Sequence, residues 1–118
     1  MRIKVVFYDT ESGAQPAMDY LNALPLKMRA KMLWTIKLFE NNGTDLREPY
    51  SKKLRDEIFE LRAKKGSDIS RVLYFFVHDG KAVLTHGFTK KSQRTPAGEI
   101  ERAMRYREEY LSRKEKQQ

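Results

Sequence analysis

The chain has 118 residues, 40% of them hydrophobic and 34% charged, which suits one modest core beneath a heavily charged surface. It holds no apolar run of the roughly 18 residues a membrane-spanning helix needs, and its lack of cysteine excludes disulfides, zinc–thiolate centres and thiol nucleophiles. The formal charge of +8 is uneven: residues 1–59 carry ten Lys and Arg against eight Asp and Glu, residues 60–118 fourteen against eight, which points to a polyanionic partner.

Residues 3–9, IKVVFYD, are β-branched and aromatic and end in the turn-like DTESG, so they read as a first strand. The stretch lacks a long apolar region and a small-residue cleavage site; a strand is expected there, not a signal peptide, and the expected location is the cytoplasm. Ala17, Tyr20, Leu21 and Leu24 then follow helical spacing behind Pro16, a residue suited to a first helical turn. Pro25 separates this helix from a second, whose stripe is Met28, Met32, Leu33, Ile36 and Phe39 and whose stop is Asn41-Asn42-Gly43. The two form a helical hairpin.

Residues 44–53 are polar, contain Pro49 and read as a loop. Three strands follow, over 57–64, 69–81 and 82–88. Asp79-Gly80 is the hairpin signal between the last two, because a tight turn of that kind needs positive φ at both central residues. Lys64-Lys65-Gly66-Ser67-Asp68 reads as a similar turn before them. A last helix runs from Pro96 to about Lys114, with Thr95 as its N-cap and Ile100, Ala103, Met104 and Leu111 on its apolar face. The order β, α, α, β, β, β, α predicts an α+β fold in one domain spanning 1–118: a small sheet, antiparallel except at the N-terminal strand, with helices covering one face.

The chemistry available is narrow. The only two histidines, His78 and His86, have no carboxylates spaced to complete a metal set, and no phosphate-cradling glycine motif occurs, so neither metal nor cofactor is expected. What remains is a set of cations on neighbouring strands: Arg62, Arg71, and His86, Lys90 and Lys91 at or after the last strand. Alternation puts Ile58, Glu60 and Arg62 on one face and Phe59 and Leu61 on the other. It groups Arg71 with Leu73, Phe75 and Val77, so Arg71 lies either near an edge or buried and paired, with Glu60 as the candidate partner. His86 and Phe88 are expected to share a face with Ala82 and Leu84.

Such a patch suits metal-independent RNA cleavage, in which the ribose 2′-hydroxyl attacks the adjacent phosphate. Arginine and lysine offset charge on the phosphorane, and histidine or a lysine crowded by other cations can move the protons. Phe88 or Tyr74 would stack a base. Each residue also has an ordinary structural reading. Glu60 and Arg62 make a plausible surface pair, His86 can simply end a strand, and Tyr74 with Phe75 and Phe76 suits a core strand. Arg102, Arg105 and Arg107 suit helix-surface pairing with Glu101 and Glu109.

From Lys52 to Tyr110 the ordered series KKL…IFELR, SRVLYFF, LTHGFTKKSQRTP and EIERAMRYREEY resembles the HigB-type branch of the RelE-like toxins, phage-derived relatives included. The resemblance implies a RelE-like fold and the toxin of a type II toxin–antitoxin pair. Such a toxin is an endoribonuclease that cuts messenger RNA on the ribosome without a metal or other cofactor and leaves 2′,3′-cyclic phosphate ends. It also implies a cognate helix-turn-helix antitoxin, HigA-like, through which alone operator DNA is met, and no membrane association. Carried over by position, the resemblance gives Arg62, Arg71, His86, Phe88, Lys90 and Lys91; the arginines, histidine and lysines are the catalytic candidates, and Phe88 joins Tyr74 and Arg94, which are read from the residues themselves, as expected RNA contacts. Arg62 and Arg71 take phosphate stabilisation, and Lys90 or Lys91 proton transfer with His86 as competitor. The chain departs from the pattern in its ending, RKEKQQ, where some HigB toxins carry histidine, aspartate and tyrosine. The rival reading is a non-catalytic basic module that binds nucleic acid or protein.

Overall fold

A computed structural model describes residues 1–117. The elements in chain order are β1 (Lys4–Phe7), α1 (Pro16–Ala23), α2 (Leu26–Asn42), β2 (Ser51–Lys53), β3 (Phe59–Lys65), β4 (Asp68–Val77), β5 (Lys81–Lys90) and α3 (Ala97–Lys116). The five strands form one mixed sheet in the order β1-β5-β4-β3-β2, with β1 parallel to β5 and all other pairs antiparallel. The fold is α+β, as expected. β2 lies where a loop was expected: three residues are too few to show alternation, and Pro49 precedes them. Among the described residues no helix is long and apolar enough to cross a membrane.

The helices cover both faces of the sheet, not one. The first face packs Leu61, Ala63, Val72, Tyr74, Ala82 and Leu84 against Ala17, Leu21, Met28, Met32, Ile36 and Phe39 of the α1–α2 hairpin. The second packs Ile58, Leu73, Phe75 and Val83 against Ile100 and Ala103 of α3. Each fully buried side chain of this size contributes roughly 1.5–3 kcal/mol, so both layers matter to stability. Within α2 the stripe is Met28, Met32, Thr35, Ile36 and Phe39; Leu33, expected in it, is exposed.

The β4–β5 hairpin turns through His78–Gly80, with positive φ at Asp79 (74°) and Gly80 (68°), as the Asp-Gly signal requires. Further along, the register shifts. Leu73 pairs with His86 but Tyr74 pairs with Leu84, so Thr85 is the extra residue of a β-bulge. Its hydroxyl donates to the Leu73 carbonyl at 3.1 Å. The bulge reverses the facing of everything after it, and His86 and Phe88 leave the face of Ala82 and Leu84 and turn toward α3. The expectation that the four share a face is thereby corrected. Gly87 does not end the strand, which continues to Lys90.

At the start of α3, Thr95 does not act as N-cap. Pro96 holds that position, and the Thr95 hydroxyl instead donates to the buried Glu60 carboxylate.

Candidate functional site

Two cross-strand rows build the site on the α3 face. In one, Arg62 of β3 pairs with Arg71 of β4, which pairs with Phe88 of β5; in the next, Glu60, Leu73 and His86 stand in line. Like charges directly opposite on adjacent strands destabilise a sheet, so the two guanidiniums require an offset. Glu60 supplies one negative charge. Its fully buried carboxylate accepts a hydrogen bond from Arg62 Nε and lies 3.7 Å from Arg71 Nε. Arg71 is therefore buried and paired with Glu60, the second of the two arrangements its strand position allowed.

Arg71 is sealed, with no measurable exposure. One face of its guanidinium lies 5.5 Å from the Phe88 ring, and Nη2 donates to the Ser92 carbonyl. Nε and Nη1 have no hydrogen-bond partner. Burial pushes the guanidinium below its ordinary range, and Glu60 works against that shift. Arg62 remains 16% exposed and donates through Nη2 to the Gln93 carbonyl. The segment between β5 and α3 thus lays two backbone carbonyls over the two arginines. The residual charge of two cations and one anion is met by those dipoles, the Gln93 side-chain oxygen and the Phe88 ring, with no second anion.

His86 is 1% exposed, with both ring nitrogens engaged: Nε2 with Glu99 Oε1 at 3.1 Å and Nδ1 with Thr85 Oγ1 at 3.1 Å. Burial, reinforced by the Arg102 charge, lowers its pKa to about 4, although Glu99 pulls the other way. The imidazole is neutral at neutral pH and ties β5 to the first turn of α3.

The other expected residues separate. Lys90 follows Phe88 on the α3 side of β5 and is exposed, whereas Lys91 is drawn to Asp68 at 2.9 Å and Ser67 at 3.2 Å. Arg94 lines a groove of about 450 Å³ between β2, β3 and α3, together with Lys52, Lys53, Arg55 and Arg62 and no carboxylate. Tyr74 does not belong to the site. It is 2% exposed on the α1–α2 face, and its hydroxyl shares a 2.6 Å hydrogen bond with Ser51, so no base can stack on it. Phe88 is half-buried against Arg71 and His86. Among the described residues no group of three His, Asp or Glu side chains gathers as a metal set.

Sequence reasoning missed the part played by residues 92–95, whose carbonyls and hydroxyl close over the arginines and Glu60. Backbone acceptors leave no mark in a sequence. The basic pair Lys52-Lys53 was legible as charge, but its place beside Arg62 depends on β2, the strand that went unread.

Residues 19–108, three quarters of the chain and every candidate side chain above, match the model of the phage-derived protein Gp49-like family (DUF891). No curated protein matches the sequence. The chain belongs to the phage-derived Gp49-like family, a family related to the RelE-like toxins of toxin–antitoxin systems. The match reaches back into α1 and takes in all of α2, N-terminal to the Lys52–Tyr110 stretch that carried the resemblance.

Proposed function

We propose that this member of the Gp49-like family is a toxin of the HigB type, a metal-independent endoribonuclease that cuts messenger RNA on the ribosome, acts in the cytoplasm and is held inactive by a HigA-like helix-turn-helix antitoxin. The observation that carries the reading is the Arg62–Arg71 pair, two guanidiniums opposite one another with a single carboxylate between them and two Arg71 donors unused. A phosphate diester supplies the missing negative charge and the acceptors. In this reading it takes the places of the Ser92 and Gln93 carbonyls, which requires those two carbonyls to turn aside while Lys91 keeps its pairing with Asp68.

The ribose 2′-oxygen forms a bond to phosphorus as its proton leaves to water, and Arg62 and Arg71 hold the phosphorane oxygens by charge-assisted hydrogen bonds. The bond from phosphorus to the 5′-oxygen then breaks, and the leaving oxygen takes a proton. The products are a 2′,3′-cyclic phosphate and a 5′-hydroxyl. We assign the proton donor to Lys90, because Lys91 is paired with Asp68 and His86 has both nitrogens engaged. The groove of Lys52, Lys53, Arg55 and Arg94 carries the flanking backbone.

One observation favours the second reading, a binding module without catalysis: Arg71 and His86 are both closed off from solvent. Induced expression of the wild-type chain and of Arg62→Ala in bacteria, with growth followed and messenger 5′ ends mapped, separates the two. A ribonuclease arrests growth and leaves cuts in messages, and both disappear in the variant at equal soluble expression. A binding module gives intact messages, with RNA affinity falling step by step as cations are removed.

A further inference from the structure

We infer that the cavity between α2 and the β2–β3 edge is a nucleobase site, in which an unpaired base next to the phosphate held by Arg62 stacks on Trp34 and meets the Tyr50 ring edge-to-face. The inference deepens the reading of the chain as a protein that acts on single-stranded RNA, and it rests on that reading. The cavity encloses about 630 Å³, within the usual ~300–1,000 Å³ of small-molecule sites.

Its aromatic walls are exposed where a stable fold has no use for them. Trp34 is 56% exposed and Tyr50 37%, with ring centroids 5.6 Å apart at 65°. Trp34 projects from the side of α2 one position off the core stripe. Ala30, one helical turn before it, leaves the space that opens onto the cavity. Tyr50 is pinned by its backbone: its N–H donates to the Arg47 carbonyl at 3.0 Å, and its carbonyl accepts from Arg62 N–H at 2.8 Å. The second bond places the tyrosine directly beside the arginine.

Charge decides the occupant. Lys31, Arg62 and Lys64 are in the lining and no Asp or Glu is. A ring of cations around two aromatic faces matches a stacked base with its phosphates, since every base offers a π-face and every nucleotide an anion. Gln93 stands on the rim, with its side-chain oxygen 3.4 Å from Arg62 Nη1, and offers an amide to the base edge. Arg62 and Gln93 also line the basic groove on the α3 side, so the two depressions meet at the proposed phosphate position. A single strand crossing this edge leaves its backbone in the groove and turns one base into the cavity.

Trp34 is the only tryptophan in the chain, so its fluorescence reports this cavity alone. The wild-type protein is titrated with a 2′-O-methyl oligoribonucleotide, which cannot be cut, with binding followed in parallel by the anisotropy of a dye on the oligonucleotide. A saturable quench that heparin, a polyanion without bases, does not reproduce is the expected result. Trp34→Leu is expected to weaken oligonucleotide binding about 5- to 150-fold while the salt dependence of binding stays the same, because no phosphate contact is lost. Unchanged emission while the oligonucleotide binds, or a quench that heparin reproduces, overturns the base site and leaves this face of α2 to a protein partner. A quench in a protein that cuts no RNA upholds the base site and sinks the ribonuclease. Failure of any RNA to bind removes both.

Discussion

His86 gives the sharpest test of how the site is built, because its burial sets a charge state that stability measurements can read. Its pKa falls from an ordinary 6.5 to about 4 in the folded chain, chiefly through burial and then through Arg102, with Glu99 opposing and Arg105 adding a little. Between those two values the unfolded chain binds a proton that the folded chain refuses, so stability rises with pH there and is flat above 6.5. Two and a half pH units at about 1.4 kcal/mol each amount to roughly 3–4 kcal/mol lost as the pH falls from above 6.5 to below 4. The assay is urea unfolding at half-unit pH steps for the wild type and for His86→Gln, which keeps hydrogen-bonding capacity toward Thr85 and Glu99. Carboxylates remote from the imidazole titrate alike in both proteins and cancel in the difference, and repeating the pair in a Glu99→Gln background removes the one that touches it. Proton NMR of the two ring systems, with the exposed His78 for comparison, checks the assignment. If the wild type and His86→Gln lose stability in parallel down to pH 4, the imidazole is open to water and titrates normally. His86 would then replace Lys90 as the proposed proton donor, and its part as a tie between β5 and α3 would fall.

Glu60→Gln removes the only anion between Arg62 and Arg71, and breaking a buried pair in this way is expected to cost about 3–5 kcal/mol in denaturant unfolding. Added sulfate should restore part of that loss if the pair is an anion site; restoration no greater than in the wild type would argue against one. Gly87→Ala would place a Cβ 2.2 Å from the Tyr20 ring and 2.8 Å from the Arg71 carbonyl. Tyr20 is held by hydrogen bonds of 2.6 Å to Ser70 and Thr89, so the crowding should cost about 1–3 kcal/mol, and a loss below about 0.5 kcal/mol would show that the ring yields freely.

The elements that alternate or repeat cleanly were legible in the sequence: both helices of the hairpin, the strands around Arg62 and Arg71, and the Asp79-Gly80 turn. The exceptions share a cause, namely that each depends on a partner distant in sequence. β2 exists because Ser51, Lys52 and Lys53 have β3 to pair with, and no local pattern announces three paired residues. The Thr85 bulge depends on the Leu73 carbonyl twelve residues back. Because side chains alternate strictly along a strand, one extra residue inverted the expected facing of His86 and Phe88 while leaving Arg62 and Arg71 as read. Tyr74 failed as a base-stacking candidate for the opposite reason. Its aromatic ring was visible in the sequence, but its alternation with Arg71 already set it on the other face of the sheet.

The bulge also explains why a polar site can exist in the middle of this sheet. With regular alternation, His86 would point with Ala82 and Leu84 into the α1–α2 core, where its polar nitrogens would have to find partners among apolar side chains. Phe88 would follow, and Arg71 would lose the ring beneath its guanidinium. Inserting Thr85 moves the imidazole to Glu99, the phenyl ring to Arg71 and Lys90 to the same side, so one extra residue gathers three groups from β5 beside two arginines from β3 and β4. Placing two guanidiniums opposite one another costs stability that Glu60 offsets only in part. A sheet held together for its own sake would be better served by an apolar pair at Arg62 and Arg71. The retained imbalance of charge is therefore better explained by the anion that would complete it than by the fold.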